Sequence, residues 1–229
     1  MAARTRARTT VSHSLAVLAR LPTLVPDAMV ARAEAGLDTD TAVEPVLAAS
    51  VLLLRDGGTG LETYLLHRHS RMPFAASMVV FPGGRVDASD HSGSDPLRTC
   101  AVRETHEETG VSLSRADLHD WAHWITPEVE PRRYDTRFFV AALPAGQHAR
   151  DISGETDRAE WSAPADALAA ADRGELALMP PTRSMLLELA DLTTVAEVVD
   201  SAQGRVVEPV LPRLTRTGAG WTFSYPSPT

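Results

Sequence analysis

Two rhythms of apolar and polar positions divide this chain. Ala48–Arg55 (AASVLLLR) and Leu61–Arg68 (LETYLLHR) are apolar runs of strand length, and the Asp56-Gly57-Gly58-Thr59-Gly60 turn between them predicts a hairpin. Met78–Phe81 (MVVF) predicts a third short strand, stopped by Pro82-Gly83-Gly84, and residues 85–94 read as a polar loop. The spacing then becomes helical. Ser94 or Asp95 suits an N-cap, Pro96 suits the first turn and Gly110 suits the position just past the end. Trp121–Ile125, Thr136–Ala142 and Ala159–Ser162 read as strands; Pro164–Ala171, Arg183–Leu192 and Thr193–Gln203 read as helices. Upstream, residues 13–36 predict one or two short helices broken at Pro22 and Pro26, and 37–45 a linker. Residues 1–12 read as a basic mobile end, and the Pro-rich tail from Val206 as partly extended. Strands, helix, strands, helices: that order predicts a mixed sheet with helices packed on it, not a regular βαβ array.

Composition narrows the function classes. The chain has 229 residues, 44% hydrophobic and 23% charged, which suits a globular protein of one large domain or one domain with extensions. No apolar run reaches membrane-spanning length and no secretory signal follows the basic N-terminus, so a cytoplasmic protein off the membrane is expected. The single cysteine, Cys100, excludes an internal disulfide. A net charge of -8 argues against general nucleic-acid binding. It leaves a phosphorylated small molecule open, because a metal ion can bridge acid to phosphate.

The chemistry gathers in Arg103-Glu104-Thr105-His106-Glu107-Glu108-Thr109-Gly110. With Leu97 at zero on a helical wheel, Glu107, Glu104 and Glu108 fall at about 280°, 340° and 20°. They continue the apolar stripe of Leu97 and Ala101 instead of opposing it. Like charges at i, i+3 and i+4 repel, and the simplest compensation is a hard divalent cation, Mg²⁺ or Mn²⁺. Cys100 reads as a core thiol, and His106, on the opposite side of the helix, as solvated.

These residues resemble the Nudix box, G-x5-E-x7-R-E-U-x-E-E-x-G-U with U apolar. Gly84 is similar to its leading glycine, Arg103 to Val111 fill its second half, and Phe81-Pro82-Gly83 precedes it as is usual in the family. Three departures stand out. Asp95 occupies the place of the first glutamate, ten residues separate it from Gly84 instead of five, and Thr105 occupies an apolar position. The resemblance implies an α/β fold, a Nudix-type α/β/α sandwich with a mixed β-sheet over residues 45–175. It also implies an N-terminal extension, 1–44, and a C-terminal helical extension and tail, 176–229.

By resemblance, Glu104, Glu107 and Glu108 and the Gly84 carbonyl are metal ligands, with Mg²⁺ or Mn²⁺ as cofactor. Arg103 orients a carboxylate. The implied reaction is metal-dependent hydrolysis of a diphosphate bond in a nucleoside diphosphate linked to another moiety. Glu155 and Glu160 are candidate bases outside the box. Arg68, Arg71, Arg132 and Arg133 are candidate phosphate contacts, and Trp121, Trp124 and Tyr134 candidate stacking surfaces. HRHSRMPFAASMVVFPGGRVDASD and Met179-Pro180-Pro181-Thr182 look like the subgroup that includes peroxisomal coenzyme A diphosphatases. Pro73 and Ser77 stand where the stricter coenzyme A signature has arginine and glycine, and the chain ends Ser227-Pro228-Thr229, without a peroxisomal signal. Coenzyme A, acyl-coenzyme A, ADP-ribose and NAD(H) are the substrate candidates, and a homodimer is the expected assembly. Two other readings are a non-catalytic Nudix-fold binding or regulatory module, against which the retained glutamates speak, and an isomerase on the same fold, for which no suitably placed cysteine is seen.

Overall fold

The protein is described by a computed structural model over residues 15–35, 42–69, 77–154 and 156–225. Its strands are β1 (Val46–Asp56), β2 (Leu61–Arg68), β3 (Val79–Val80), β4 (Gly83–Arg85), β5 (His119–Ile125), β6 (Tyr134–Ala142), β7 (Thr156–Ser162), β8 (Pro209–Val210), β9 (Arg213–Thr217) and β10 (Gly220–Ser224). Its helices are α1 (Leu15–Leu18), α2 (Asp27–Glu34), α3 (Pro96–Thr109), α4 (Pro164–Asp172), α5 (Pro180–Leu189) and α6 (Val195–Ala202). The main sheet runs β3-β2-β1-β6-β5-β8, with β4 on β1 and β7 on β2. It is mixed: β1 pairs β6 in parallel over nine residues, while β2 and β4 meet β1 antiparallel.

Alternation along β1 builds the two apolar layers. Ala49, Val51 and Leu53 face α3, joining Tyr64, Leu66, Phe139, Cys100 and Ala101. Leu52 and Leu54 face the other way, joining Leu65, Phe138 and Val140 with Ala167 and Leu168 of α4, Met185, Leu186 and Leu189 of α5, and Val198 of α6. A strand buried on both faces reads as a continuous apolar run, which is why LeuLeuLeu in β1 carries no polar alternation. Each such leucine contributes roughly 2 kcal/mol by burial. The result is an α/β/α sandwich with α3, among the described residues, the helix on one face.

Several elements differ from the expectation. The polar loop at 85–94 contains a strand residue, Arg85, and a 3₁₀ turn at Ala88–Ser92. β4 fills the space where β1 and β2 part, pairing Ser50 with Gly83 and Ala49 with Gly84. The segment 176–229, expected as a helical extension, supplies core residues through α5 and α6, and its tail adds β8 to the main sheet beside β5. β9 and β10 form a separate hairpin that meets the N-terminal segment, where the Tyr225 hydroxyl donates to the Pro22 carbonyl at 2.8 Å.

Arg205 fastens this C-terminal part. Its Nε donates to the Trp121 carbonyl at 2.7 Å, its Nη2 pairs with Glu188 at 2.6 Å, and the guanidinium lies 4.0 Å from the Trp121 ring centre. The side chain is 3% exposed. Removing one partner of a buried pair leaves the other charge uncompensated. Arg205→Ala is therefore expected to cost about 3 kcal/mol of stability, read as a shift of the urea midpoint without a change of slope.

Candidate active site

α3 is delimited as its sequence requires. The Asp95 carboxylate accepts the Arg98 N–H at 3.1 Å as N-cap, and Gly110 ends the helix in the left-handed region at φ 72°. Thr105, at the atypical box position, is fully buried and resolves its hydroxyl by donating to the Ala101 carbonyl at 2.7 Å. His106 is exposed and Cys100 is buried, as expected of them. The Cys100 thiol faces the Gly84 and Arg85 carbonyls. Burial first, then the nearby Glu104 and Asp90 carboxylates, push it up to about 12, so it stays protonated and is a weak donor, not a nucleophile.

The three glutamates fare differently. Glu108 is 6% exposed and accepts the Gly83 N–H at 2.8 Å. Glu104, with 16% of its side chain exposed, lies directly over Gly84, where an added Cβ would overlap its carboxylate. Burial pushes the Glu104 carboxyl above the usual range; Arg103 opposes this, and the neighbouring Glu107 and Asp87 add to it. Glu107 is the outermost, 55% exposed. Arg103 stands among them, donating from Nη1 to Glu104 at 2.9 Å and to Glu107 at 3.0 Å.

A residue outside the expected set completes this cluster. Asp90, 1% exposed, accepts Arg103 Nε at 3.0 Å and Nη2 at 2.8 Å. That hydrogen bonding holds its carboxyl below the usual range despite burial. Counting back from Arg103 gives Asp95, which is occupied in capping α3 and pairing with Arg98, whereas counting forward from Gly84 gives Asp90. The sequence signal is the spacing itself: Asp90 is the sixth residue after Gly84, and the extra residues lie between Asp90 and Arg103.

The other candidates scatter. Arg133 is buried and donates to the Thr126 and Val43 carbonyls at 3.0 and 2.8 Å, so it holds the entry to β1 and is withdrawn as a phosphate contact. Arg132 is exposed at the β5–β6 connection. Arg68 ends β2, and its Nε is buried with no hydrogen-bond partner among the described residues. Arg71 and Glu155 lie outside the described residues. Glu160 pairs with His67 at 2.9 Å and with Arg158. It sits opposite Leu65, on the face turned away from α3, which removes it as a base for the box. Trp121 and Trp124 are core residues, 1% and 3% exposed, and offer no stacking surface. The loop that does reach the end of α3 is 149–154: Arg150 and Ile152 N–H groups donate to the Thr109 and Glu108 carbonyls. Its acid, Asp151, is satisfied by Ser153 of the loop and by Thr156 at the start of β7.

A family model described as the NUDIX domain matches residues 44–180, more than half of the chain. The chain belongs to the Nudix family. It is 27% identical over 210 residues to nudix hydrolase 7 of Caenorhabditis elegans, spanning 74% of this chain and 68% of that protein. It is 27% identical over 153 residues to the human acyl-coenzyme A diphosphatase NUDT19, spanning 63% of this chain and 39% of that protein. A Nudix hydrolase structure from Alicyclobacillus acidocaldarius superposes with a TM-score of 0.60 at 27% identity, covering 69% of this chain and 96% of that one. The protein is thus a Nudix hydrolase with the mixed α/β sandwich of its relatives. No helix among the described residues is long and apolar enough to cross a membrane.

The donor set suits a hard divalent cation: carboxylate oxygens in excess over cations, with Glu104 held over a glycine that leaves it room. Among the described residues no three His, Cys, Asp or Glu side chains are drawn together into a closed metal cluster. The two glycines should separate by substitution. At Gly83, φ is 154° and a Cβ would overlap the Ala49 carbonyl and Ser50, so Gly83→Ala is expected to cost about 2–3 kcal/mol. At Gly84 the obstacle is the end of the Glu104 side chain, which can move. Gly84→Ala is expected to fold with a loss of about 1 kcal/mol or less while turnover falls at least tenfold; thermal melts read beside activity check the pair.

Proposed function

We propose that this Nudix hydrolase cleaves the diphosphate bond of a small molecule in which a nucleoside diphosphate is linked to another moiety, with acyl-coenzyme A or coenzyme A as the leading class. The observation that carries the proposal is the seating of Glu104 and Glu108 on Gly83–Gly84, in a chain similar to a human acyl-coenzyme A diphosphatase. ADP-ribose and NAD(H) are the next candidates.

Glu104, Glu108, Glu107 and the Gly84 carbonyl would hold Mg²⁺ or Mn²⁺, which when bound neutralises phosphate oxygens and lowers the pKa of a coordinated water. The chain's own contribution is orientation. The Gly83 N–H fixes one carboxylate oxygen of Glu108, and Arg103 fixes one each on Glu104 and Glu107. Glu104 and Glu107 each keep their other oxygen for a further partner. Cys100 stays protonated beneath the helix, so no covalent intermediate forms there. Arg68 is the best remaining phosphate contact, since its Nε has no hydrogen-bond partner among the described residues. A non-catalytic binding module is the alternative; retention of all three box glutamates favours catalysis.

The test is a panel of coenzyme A, acyl-coenzyme A, ADP-ribose, NAD(H) and nucleoside triphosphates with Mg²⁺ or Mn²⁺, run on the wild type and on Glu108→Gln. Products split at the diphosphate are expected, with turnover lowered at least a hundredfold in the variant and abolished by excess chelator. Equal inertness of both proteins across the panel would leave the binding module standing. Activity that survives the chelator would overturn the role given to metal.

A further inference from the structure

We infer that residues 147–152 form a strap over the last turn of α3, and that Asp151 is its positioning residue: it shapes the loop so that two backbone amides fix the turn that carries Glu108. This deepens the diphosphatase reading, on which the turnover readout rests.

The weak point of the site is where Glu108 stands. α3 ends at Thr109, so Glu108 lies in the last turn. The last four carbonyls of a helix find no N–H within their own helix, and such turns fray. Gly110 caps one of them, giving its N–H to the His106 carbonyl at 2.8 Å. Two more are met from a loop distant in sequence. The Ile152 N–H donates to the Glu108 carbonyl at 3.2 Å, and the Arg150 N–H donates to the Thr109 carbonyl at 3.0 Å. Gln147 anchors the other end of the strap. Its side-chain amide donates to the Ser112 carbonyl at 2.9 Å and accepts the Ser112 N–H at 2.7 Å. Glu108 is thus held twice, at its backbone by Ile152 and at its carboxylate by Gly83.

Hydrogen bonds hold this strap more than burial does. Arg150 is exposed, and Ile152, whose side chain lies beside Gly110, is 59% exposed. The order of the loop therefore falls on Asp151, the residue between the two donors. Its Oδ1 accepts the Ser153 N–H at 3.0 Å and the Ser153 hydroxyl at 2.9 Å, and its Oδ2 accepts the Thr156 hydroxyl. Burial would raise this carboxyl, but hydrogen bonds from Thr156, Ser153 and the Gly154 backbone outweigh it and hold it below the usual range. A carboxylate so held is charged, already supplied with donors and a weak base. What it does is local: it turns the chain at 151–153 and ties it to the start of β7, which leaves both flanking amides facing α3.

The test uses the full chain with Asp151→Ala, Asp151→Asn, Ile152→Pro and Gln147→Ala. Three quantities are read: hydrogen exchange of the Thr109 and Gly110 amides in the metal-free protein, Mn²⁺ affinity by electron paramagnetic resonance, and turnover. An inert wild type would sink the diphosphatase reading, while the first two quantities still decide the strap. Asp151→Ala is expected to speed exchange at both amides about tenfold or more, to weaken Mn²⁺ binding about tenfold, and to lower kcat about tenfold with KM changed less than about threefold. Ile152→Pro deletes the amide that meets Glu108 and should do the same with Asp151 in place. Asp151→Asn keeps an oxygen for Ser153 and should recover most of what alanine loses. Wild-type exchange and Mn²⁺ affinity in a folded Asp151→Ala or Ile152→Pro would overturn the inference. So would an Asp151→Asn as slow in turnover as Asp151→Ala but with wild-type exchange, which would make the carboxylate a chemical group instead. If neither Asp151→Ala nor Ile152→Pro folds, Gln147→Ala, which removes only the outer anchor, carries the test: exchange about threefold faster or more is expected there, and no change would overturn the inference.

Discussion

Gly83 runs against β1 with no room for a Cβ, Gly84 lies under the Glu104 carboxylate, and the site depends on that close approach. A side chain at Gly83 would strike the backbone of Ala49 and Ser50; one at Gly84 would strike the Glu104 carboxylate. The missing atoms let β4 lie flat on β1 and let α3 lie close over β4. From that contact follow the Gly83 N–H bond to Glu108 and the seat of Glu104. The apolar half of α3, Cys100 and Ala101 against Ala49, Val51 and Leu53, sets the height of the helix. The glycines set where its carboxylates land.

Much of this was legible beforehand because the signals are local. Asp95, Pro96 and Gly110 mark the ends of α3 by capping chemistry that needs no tertiary contact. β1 and β2 announce themselves by apolar runs around a glycine-rich turn. What the chain did not disclose depends on partners distant in sequence. β4 is three residues, GlyGlyArg, with no periodicity to read, and it exists only because β1 and β2 part there. β8 is two residues held by β5. Arg133 looks like any surface arginine until Thr126 and Val43 present carbonyls to it. Asp90 stands at the G-x5 spacing from Gly84 and is passed over only when the box is counted back from Arg103, because the extra residues fall between the acid and the helix.

The charge balance of the cluster is what the proposed cation would answer. Arg103 offers one positive charge to three carboxylates, Asp90, Glu104 and Glu107, leaving a surplus of two negative charges before Glu108 is counted. Near a protein surface, unit charges about 4 Å apart interact by roughly 4 kcal/mol. Such a surplus is not left standing at little cost; burial raises the Glu104 carboxyl first, and the neighbouring Glu107 and Asp87 add to the rise. Two compensations are available: a proton on Glu104, or a divalent cation among the oxygens that Arg103 leaves uncovered. A proton would relieve one charge and spoil a donor. A divalent cation would offset two of the negative charges and would also suit a diphosphate, whose own charges need the same neutralisation. Arg103 is therefore better understood as the frame of the anionic cluster than as its counterion. It fixes where the negative charges stand without cancelling them, and Asp90, by taking the edge of the guanidinium that faces inward, keeps the other edge turned toward Glu104 and Glu107.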